Sequence, residues 1–135
     1  MPEKQYNSMK YLFHILSLSV ILLLFTSCAS KSIKNTYWKG VLNGNEVVGK
    51  IGKRMNGGFA IYEGEQSYRT PYTDYMLDCE VYDDDKVVFV GMKYFVDADG
   101  NSKGKGEPIS FTGVFRGDIL DVNFPEGFVQ LIKRY

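Results

Sequence analysis

Apolar and polar residues alternate in short stretches along the chain from Thr36 onward. The clearest stretch lies between Asp74 and Tyr82, where every second residue is apolar or weakly polar and the residues between are mostly acidic; the apolar set is Tyr75, Leu77, Cys79 and Val81. A period of two is typical of a β-strand that packs one face on a core and exposes the other to water. We therefore expect this apolar set to face inward.

Turn-forming residues separate these stretches. They lie at Asn43-Gly44, Asn56-Gly57, Asp83–Asp85, Asp97–Asn101, Gly117-Asp118 and Pro125–Gly127. The spacing predicts an all-β fold, an antiparallel meander of about eight strands. Gly100, Gly104 and Gly106 are interpreted as turn residues between strands, with the following strand beginning near Ile109.

Closure of this sheet into a small barrel is favoured over an open sandwich. Eight strands can close around their own side chains or around one small ligand. Glycines inside strands relieve the bends that a strongly curved sheet needs; they are Gly40, Gly49, Gly52, Gly91 and Gly113. Six inward positions carry rings large enough to fill the interior, which predicts a solid barrel: Trp38, Phe59, Phe89, Phe111, Phe115 and Phe124.

The first 27 residues have the layout of a secretory signal. Lys10 precedes a nearly continuous apolar run from Tyr11 to Phe25, which is shorter than the ~20 apolar residues that a membrane-spanning helix needs. We expect residues 1–27 to be a signal peptide that is removed.

The residues Leu24-Phe25-Thr26-Ser27-Cys28-Ala29-Ser30 resemble the lipobox of bacterial lipoproteins. The resemblance implies that acyl chains such as palmitate are attached to Cys28, which becomes the new N-terminus and anchors the protein to a membrane. The alternative is an ordinary signal peptide with a cysteine beside its cleavage site. By the sorting habits of that family, Ala29 favours the outer membrane of a Gram-negative cell, and a following segment without acidic residues favours the periplasmic side.

This layout predicts three parts: residues 1–27 removed, residues 28–35 a lipidated tether, and residues 36–135 a β-barrel domain. Within the barrel, Trp38 early in the domain and Lys133-Arg134 late in it loosely resemble the calycin barrels, the lipocalins and fatty-acid-binding proteins. That resemblance implies a small closed barrel and, as an alternative function, a carrier or sensor of a small hydrophobic ligand.

Composition narrows the function classes. The charges cancel, with 16 Lys+Arg against 16 Asp+Glu, so we expect no nucleic-acid partner, because such binding depends on an excess of clustered basic residues. The single histidine, His14, lies in the segment expected to be removed. The remaining chain then has no imidazole for a catalytic triad or a zinc site. We therefore expect no enzyme, no catalytic residues, no metal and no cofactor.

Two patterns resemble catalytic or metal sites but favour other readings. Asp97–Asn101 with Glu107 offers oxygen ligands for Ca²⁺, yet Lys103 and Lys105 would place positive charge beside the ion, which favours a solvated hairpin tip. The carboxylates along residues 74–80 share the solvated face of one strand rather than flanking a cleft.

The strongest candidate for recognition is the segment from Tyr68 to Tyr75, where Pro71 interrupts strand pairing. Tyrosine and arginine dominate binding hot spots, so we take Tyr68, Arg69, Tyr72 and Asp74 as candidate binding residues. The alternative is that the rings simply cover one end of the barrel.

The leading hypothesis is a lipid-anchored cell-envelope module that binds a protein or a small amphipathic ligand, an inhibitor or immunity-type protein being one form. The other hypotheses are the hydrophobic-ligand carrier and a small envelope enzyme.

Overall fold

A computed structural model describes residues 33–135, and these residues form a closed barrel of eight antiparallel strands in chain order. The strands are β1 Thr36–Leu42, β2 Asn45–Ile51, β3 Asn56–Tyr62, β4 Tyr72–Tyr82, β5 Lys86–Val96, β6 Ser102–Arg116, β7 Ile119–Phe124 and β8 Gly127–Arg134. The predicted eight-stranded closed barrel is confirmed. The predicted signal segment and Cys28 lie outside the described residues, as do the first residues of the predicted tether. Between residues 33 and 135, no helix has the length and hydropathy to cross a membrane.

The barrel closes where β8 pairs with β1. Trp38 lies opposite Lys133, and Tyr37 opposite Arg134. The Trp38 indole is 1% exposed and donates a hydrogen bond from Nε1 to Thr36 Oγ1 at 2.7 Å. A small closed barrel with a buried early tryptophan is what the calycin resemblance implies, although Lys133 rather than Arg134 is its cross-strand neighbour.

Aromatic rings fill the barrel interior, as predicted. Phe59 lies 5.3 Å from Phe89 and 5.2 Å from Phe124 between ring centroids, and Phe111 lies 5.3 Å from Tyr75. Each fully buried ring of this kind contributes about 1.5–3 kcal/mol. The six predicted filling residues are all buried, so the core occupies the lumen of the barrel.

The alternation predicted for β4 is also found. Tyr75 and Leu77 are buried, while Cys79 and Val81 are half-buried and pack against the core. Tyr75 therefore faces the lumen, and the even-numbered residues of β4 face outward.

A glycine lets one ring reach the centre of the lumen. A Cβ atom at Gly49 would lie 2.3 Å from the ring of Phe59, its cross-strand partner. Such a contact is far inside the van der Waals limit, so β2 and β3 pack at this point only because residue 49 has no side chain.

Two predicted boundaries are wrong. Asn56-Gly57, expected to form a turn, begins β3 instead, and the turn before it lies at residues 52–55. The predicted start of β6 is also wrong. The strand begins at Ser102 rather than near Ile109, and Gly104 and Gly106 lie within it instead of in a turn. The register between β5 and β6 shifts between Lys93 and Phe95, and Gly104 takes a φ of +74° there. The run of lysine and glycine has the composition of a loop, but it pairs with β5 through this bulge.

Up-and-down topology assigns every connection to one of two ends. The base of the barrel holds residue 33 and the turns at 52–55, 83–85 and 117–118. The opposite end, here called the loop end, holds the turns at 43–44, 97–101 and 125–126 and the β3–β4 connection. That connection, residues 63–71, is the longest of the barrel, as the interruption at Pro71 predicts.

Candidate functional site

The β3–β4 connection is a compact loop that exposes two of the four predicted binding residues. Tyr68 is 96% exposed, and the guanidinium carbon of Arg69 lies 6.0 Å from its ring centroid. The Thr70 hydroxyl organises the loop, since it accepts the Ser67 N–H at 2.9 Å and donates to the Glu65 carbonyl at 3.1 Å. The loop thus holds a tyrosine and an arginine side by side in solvent.

The other two predicted residues lie on the outward face of β4. Tyr72 pairs in register with Tyr62 of β3, and their ring centroids are 5.0 Å apart with a tilt of 40°. Asp74 follows two positions later on the same face, opposite Ala60. The structure therefore brings Tyr72 and Asp74 together and adds Tyr62, which the sequence pattern did not single out.

Asp74 has an unusual environment for a surface carboxylate. It is half-buried, and burial raises the pKa of its carboxyl group above the ordinary value. Within residues 33–135 it accepts no side-chain hydrogen bond and forms no ion pair; the ion pairs of that range join Lys39 to Glu46, Lys86 to Asp83 and Lys93 to Glu126. Burying a carboxylate without giving it hydrogen-bond donors lowers the stability of the fold. A donor from another molecule could offset this cost by binding to Asp74.

A groove of about 390 Å³ runs beside Asp74 on the outside of the barrel. Gly58 and Ala60 are among its lining residues, together with Val48, Lys50 and Met76. Position 58 accommodates only glycine, because a Cβ atom there would lie 2.1 Å from the Tyr75 carbonyl oxygen. The depression is therefore built into the close approach of β3 and β4.

A second groove of about 570 Å³ adjoins the first and shares Lys50, Gly57 and Met76 with it. Met76 is 59% exposed, which is high for an apolar side chain. Together the grooves form an outer surface with a small-residue floor, a lysine on one wall and aspartates on the other.

A separate polar network covers the interior at the loop end. The buried Tyr75 hydroxyl donates to both carboxylate oxygens of Glu126, at 2.6 and 2.7 Å. Lys93 Nζ lies 3.0 Å from Glu126 Oε1 and 5.7 Å from the Tyr75 ring centroid. These contacts hold the β7–β8 turn over the lumen.

The pKa values in this network follow from its geometry. Burial raises the pKa of the Tyr75 hydroxyl, and its hydrogen bond to Glu126 raises it further. Burial alone would raise the pKa of Glu126, but hydrogen bonds from Tyr75 and Lys93 outweigh it and leave that pKa below its usual value. The network therefore pairs a protonated tyrosine with an ionised carboxylate and acts as a structural lock. Its main contact joins residues 51 positions apart, and no local pattern in the sequence signals it.

The structure also defines the environments of two other candidate groups, the Cys79 thiol and the Asp97 carboxylate. Burial, with a smaller effect from Asp78, raises the pKa of Cys79 to about 11, so little thiolate forms at neutral pH. Asp97 Oδ1 accepts the N–H groups of Asp99 and Asn101, both at 3.0 Å, which is the geometry of a hairpin tip. Across the described range, no three His, Cys, Asp or Glu side chains are grouped as metal ligands.

The fold and surface define a closed eight-stranded β-barrel with a filled lumen and an outward aromatic and acidic face. No family model matches the sequence, and no curated protein or solved structure is significantly similar to it.

Proposed function

We propose that this protein is a non-enzymatic binding module of the cell envelope that recognises a protein partner through Tyr68, Arg69, Tyr72 and Asp74. The observation that carries the proposal is the contrast between the barrel's lumen and its surface. A carrier of small hydrophobic ligands needs space inside the barrel, and here aromatic rings at centroid distances of 5.2–5.3 Å occupy that space. Tyr68 and Arg69 are exposed outside the lumen, and Tyr72 and Asp74 lie half-buried on the outer face of β4. Within residues 33–135 the Asp74 carboxylate has no ion pair and no side-chain hydrogen bond. An inhibitor or immunity-type protein is one form that this function takes.

The proposal includes a lipid anchor at Cys28 in the outer membrane of a Gram-negative bacterium, on the periplasmic side. The five residue-to-residue steps from 28 to 33 span at most about 18 Å when extended, and residue 33 lies at the base of the barrel. An anchored molecule would keep its base near the membrane. The loop end, with residues 63–71, would point toward partners in the periplasm.

The β3–β4 connection, residues 63–71, suits a binding role because its own hydrogen bonds fix its conformation. Its Thr70 hydroxyl bonds to both Ser67 and Glu65, and a preorganised loop loses less conformational entropy on binding. Tyrosine rings add contact area with few rotamers to freeze.

Anchoring is tested by replacing Cys28 with alanine. Stable attachment requires more than one acyl chain, each contributing about 0.8 kcal/mol per buried CH₂, so the variant should appear in the soluble fraction. A Cys28→Ala protein that stays in the membrane and keeps its first 27 residues would contradict the processing scheme.

Recognition is tested with Arg69→Ala and Tyr72→Ala in capture experiments from cell envelopes. Each substitution should weaken retention of the partner by about 1–2 kcal/mol or more, as hot-spot residues do, and leave the melting temperature nearly unchanged. Tyr82→Ala is the matched control, since Tyr82 is an exposed ring, 40% accessible, at the base end of the same strand β4. Lower stability with intact capture would mean that these side chains only support the loop end.

A further inference from the structure

Tyr62, Tyr72 and Asp74 form a small outward cluster, here called the aromatic cradle. The two ring centroids are 5.0 Å apart and the rings are tilted by 40°, so they do not stack face to face. Asp74 follows Tyr72 by two positions on the same outward face of β4. Asp74 lies opposite Ala60, whose small side chain keeps the carboxylate accessible from the groove.

The charges around the cradle favour a cation. After burial and Tyr72, the negative charges of Asp74 and Glu46 contribute to raising the pKa of the Tyr62 hydroxyl. Both acidic groups are therefore close enough to act on this ring. Glu46 is already paired with Lys39 at 2.9 Å and accepts the Gln66 N–H at 2.8 Å, whereas Asp74 has no such partner in the part of the chain that the structure describes.

We propose that the aromatic cradle binds an arginine side chain of the partner protein, an inference that rests on the proposed function for the existence of that partner. A guanidinium group can donate two parallel hydrogen bonds to the Asp74 carboxylate and lay its plane against a tyrosine ring. The guanidinium group thus supplies the positive charge and the N–H donors that no residue in the range 33–135 offers to the Asp74 carboxylate. The adjoining groove, with Gly58 and Ala60 in its lining, accommodates the residues next to that arginine.

Other cations fit this geometry less well. A quaternary ammonium group, such as the choline of a lipid headgroup, suits aromatic rings but has no N–H to donate to a half-buried carboxylate. A lysine ammonium donates hydrogen bonds as a compact charge but cannot stack a plane on a ring. Only the guanidinium group satisfies the rings and the carboxylate together.

The test is a titration of the full-length protein, carrying ¹³C-labelled tyrosine, in a non-ionic detergent that has no cationic headgroup. The probe is N-acetyl-arginine amide, and its neutral isostere is the citrulline analogue. Tyr62→Phe and Tyr72→Phe assign the two resonances. We expect saturable shifts of both tyrosines with the arginine probe and at least tenfold weaker binding of the citrulline analogue.

Two substitutions on the same face of β4 separate the cradle from general surface charge. Asp74→Asn should weaken arginine binding at least tenfold without lowering the melting temperature. Asp78→Asn, the matched control, removes an exposed carboxylate four residues along the same strand and should leave binding unchanged.

Several results would overturn the inference. They are equal binding of the arginine and citrulline probes, no effect of Asp74→Asn, or an equal loss from Asp78→Asn. Tighter binding of free choline or of N-acetyl-lysine amide than of the arginine probe, titrated in the same way, would also overturn it. Partner capture without arginine binding would overturn this inference and leave the proposed function standing. Arginine binding at the cradle without any partner capture would contradict the proposed function and, with it, the assignment of this arginine to a protein partner.

Discussion

The lock between Tyr75 and Glu126 offers the sharpest test of the packing at the loop end. Tyr75→Phe keeps the ring in the lumen and removes only the hydroxyl that donates to Glu126 at 2.6 and 2.7 Å. The Lys93–Glu126 ion pair at 3.0 Å is left in place. The perturbation thus isolates a single charge-assisted hydrogen bond.

A hydrogen bond to a charged group contributes about 1.5–3 kcal/mol. The Glu126 side chain is 31% exposed, so water can partly replace the lost donor, and we expect the free energy of unfolding to fall by about 1.5–2 kcal/mol. For a domain of this size that corresponds to a decrease in Tm of roughly 6–15 °C. Urea unfolding followed by the fluorescence of Trp38, the single tryptophan, measures the difference.

The same variant has a defined pH dependence. The folded state lowers the pKa of Glu126, so its carboxylate stabilises the fold above the unfolded-state pKa. That contribution is lost as pH falls through the lower, folded-state pKa. The stability difference between wild type and Tyr75→Phe should therefore be constant at neutral pH and shrink in acid.

Tyr72→Phe is the control for Tyr75→Phe, because the Tyr72 hydroxyl has no side-chain hydrogen bond to any residue in the range 33–135. It should change stability by less than about 0.5 kcal/mol. Equal stability of Tyr75→Phe and Tyr72→Phe would contradict a stabilising Tyr75–Glu126 hydrogen bond. A loss of unfolding free energy in Tyr75→Phe that stays the same in acid would contradict it as well.

Three further predictions concern single positions. Gly49→Ala places a Cβ 2.3 Å from the ring of Phe59 and should cost about 1–3 kcal/mol by overpacking; urea unfolding at wild-type stability would show that the lumen is loosely packed. Cys79, whose pKa is raised to about 11, should react with a thiol reagent at pH 8 about 100-fold more slowly in the native than in the denatured protein, and fast native labelling would place β4 in the wrong register. Asp74→Asn should stabilise the fold at neutral pH, because the raised pKa of Asp74 means that its ionised form is disfavoured on folding. This gain, measured as Tm against pH, should vanish below the ordinary aspartate pKa. A loss of Tm at pH 7 would show that Asp74 has an internal partner.

The strand pattern was predictable because it depends on local alternation. Tyr75 and Leu77 are inward because a period of two with one core face leaves no other arrangement. The start of β6 was not predictable in this way, since Lys103-Gly104-Lys105-Gly106 has the composition of a turn. Its strand conformation depends on pairing with β5 and on a bulge, both of which are tertiary effects.

The candidate site was partly predictable for the same reason. Tyr72 and Asp74 stand out in the sequence because they follow Pro71 in an aromatic segment. Tyr62 does not, because its role depends on the register that places it opposite Tyr72. The groove arises from the close approach of β3 to β4 at Gly58, which no pattern within one strand encodes.

In the proposed function, a protein partner contacts the loop end rather than the base of the barrel. Site-specific photo-crosslinking in intact cells tests it directly, with p-benzoylphenylalanine introduced at Tyr68 and Tyr72 of the loop end and at Asp84 and Asp118 of the base. We predict a discrete crosslinked partner from the two tyrosine positions and none from the two aspartate positions. Crosslinks from positions 84 and 118 with none from 68 and 72 would contradict the account and place recognition at the base.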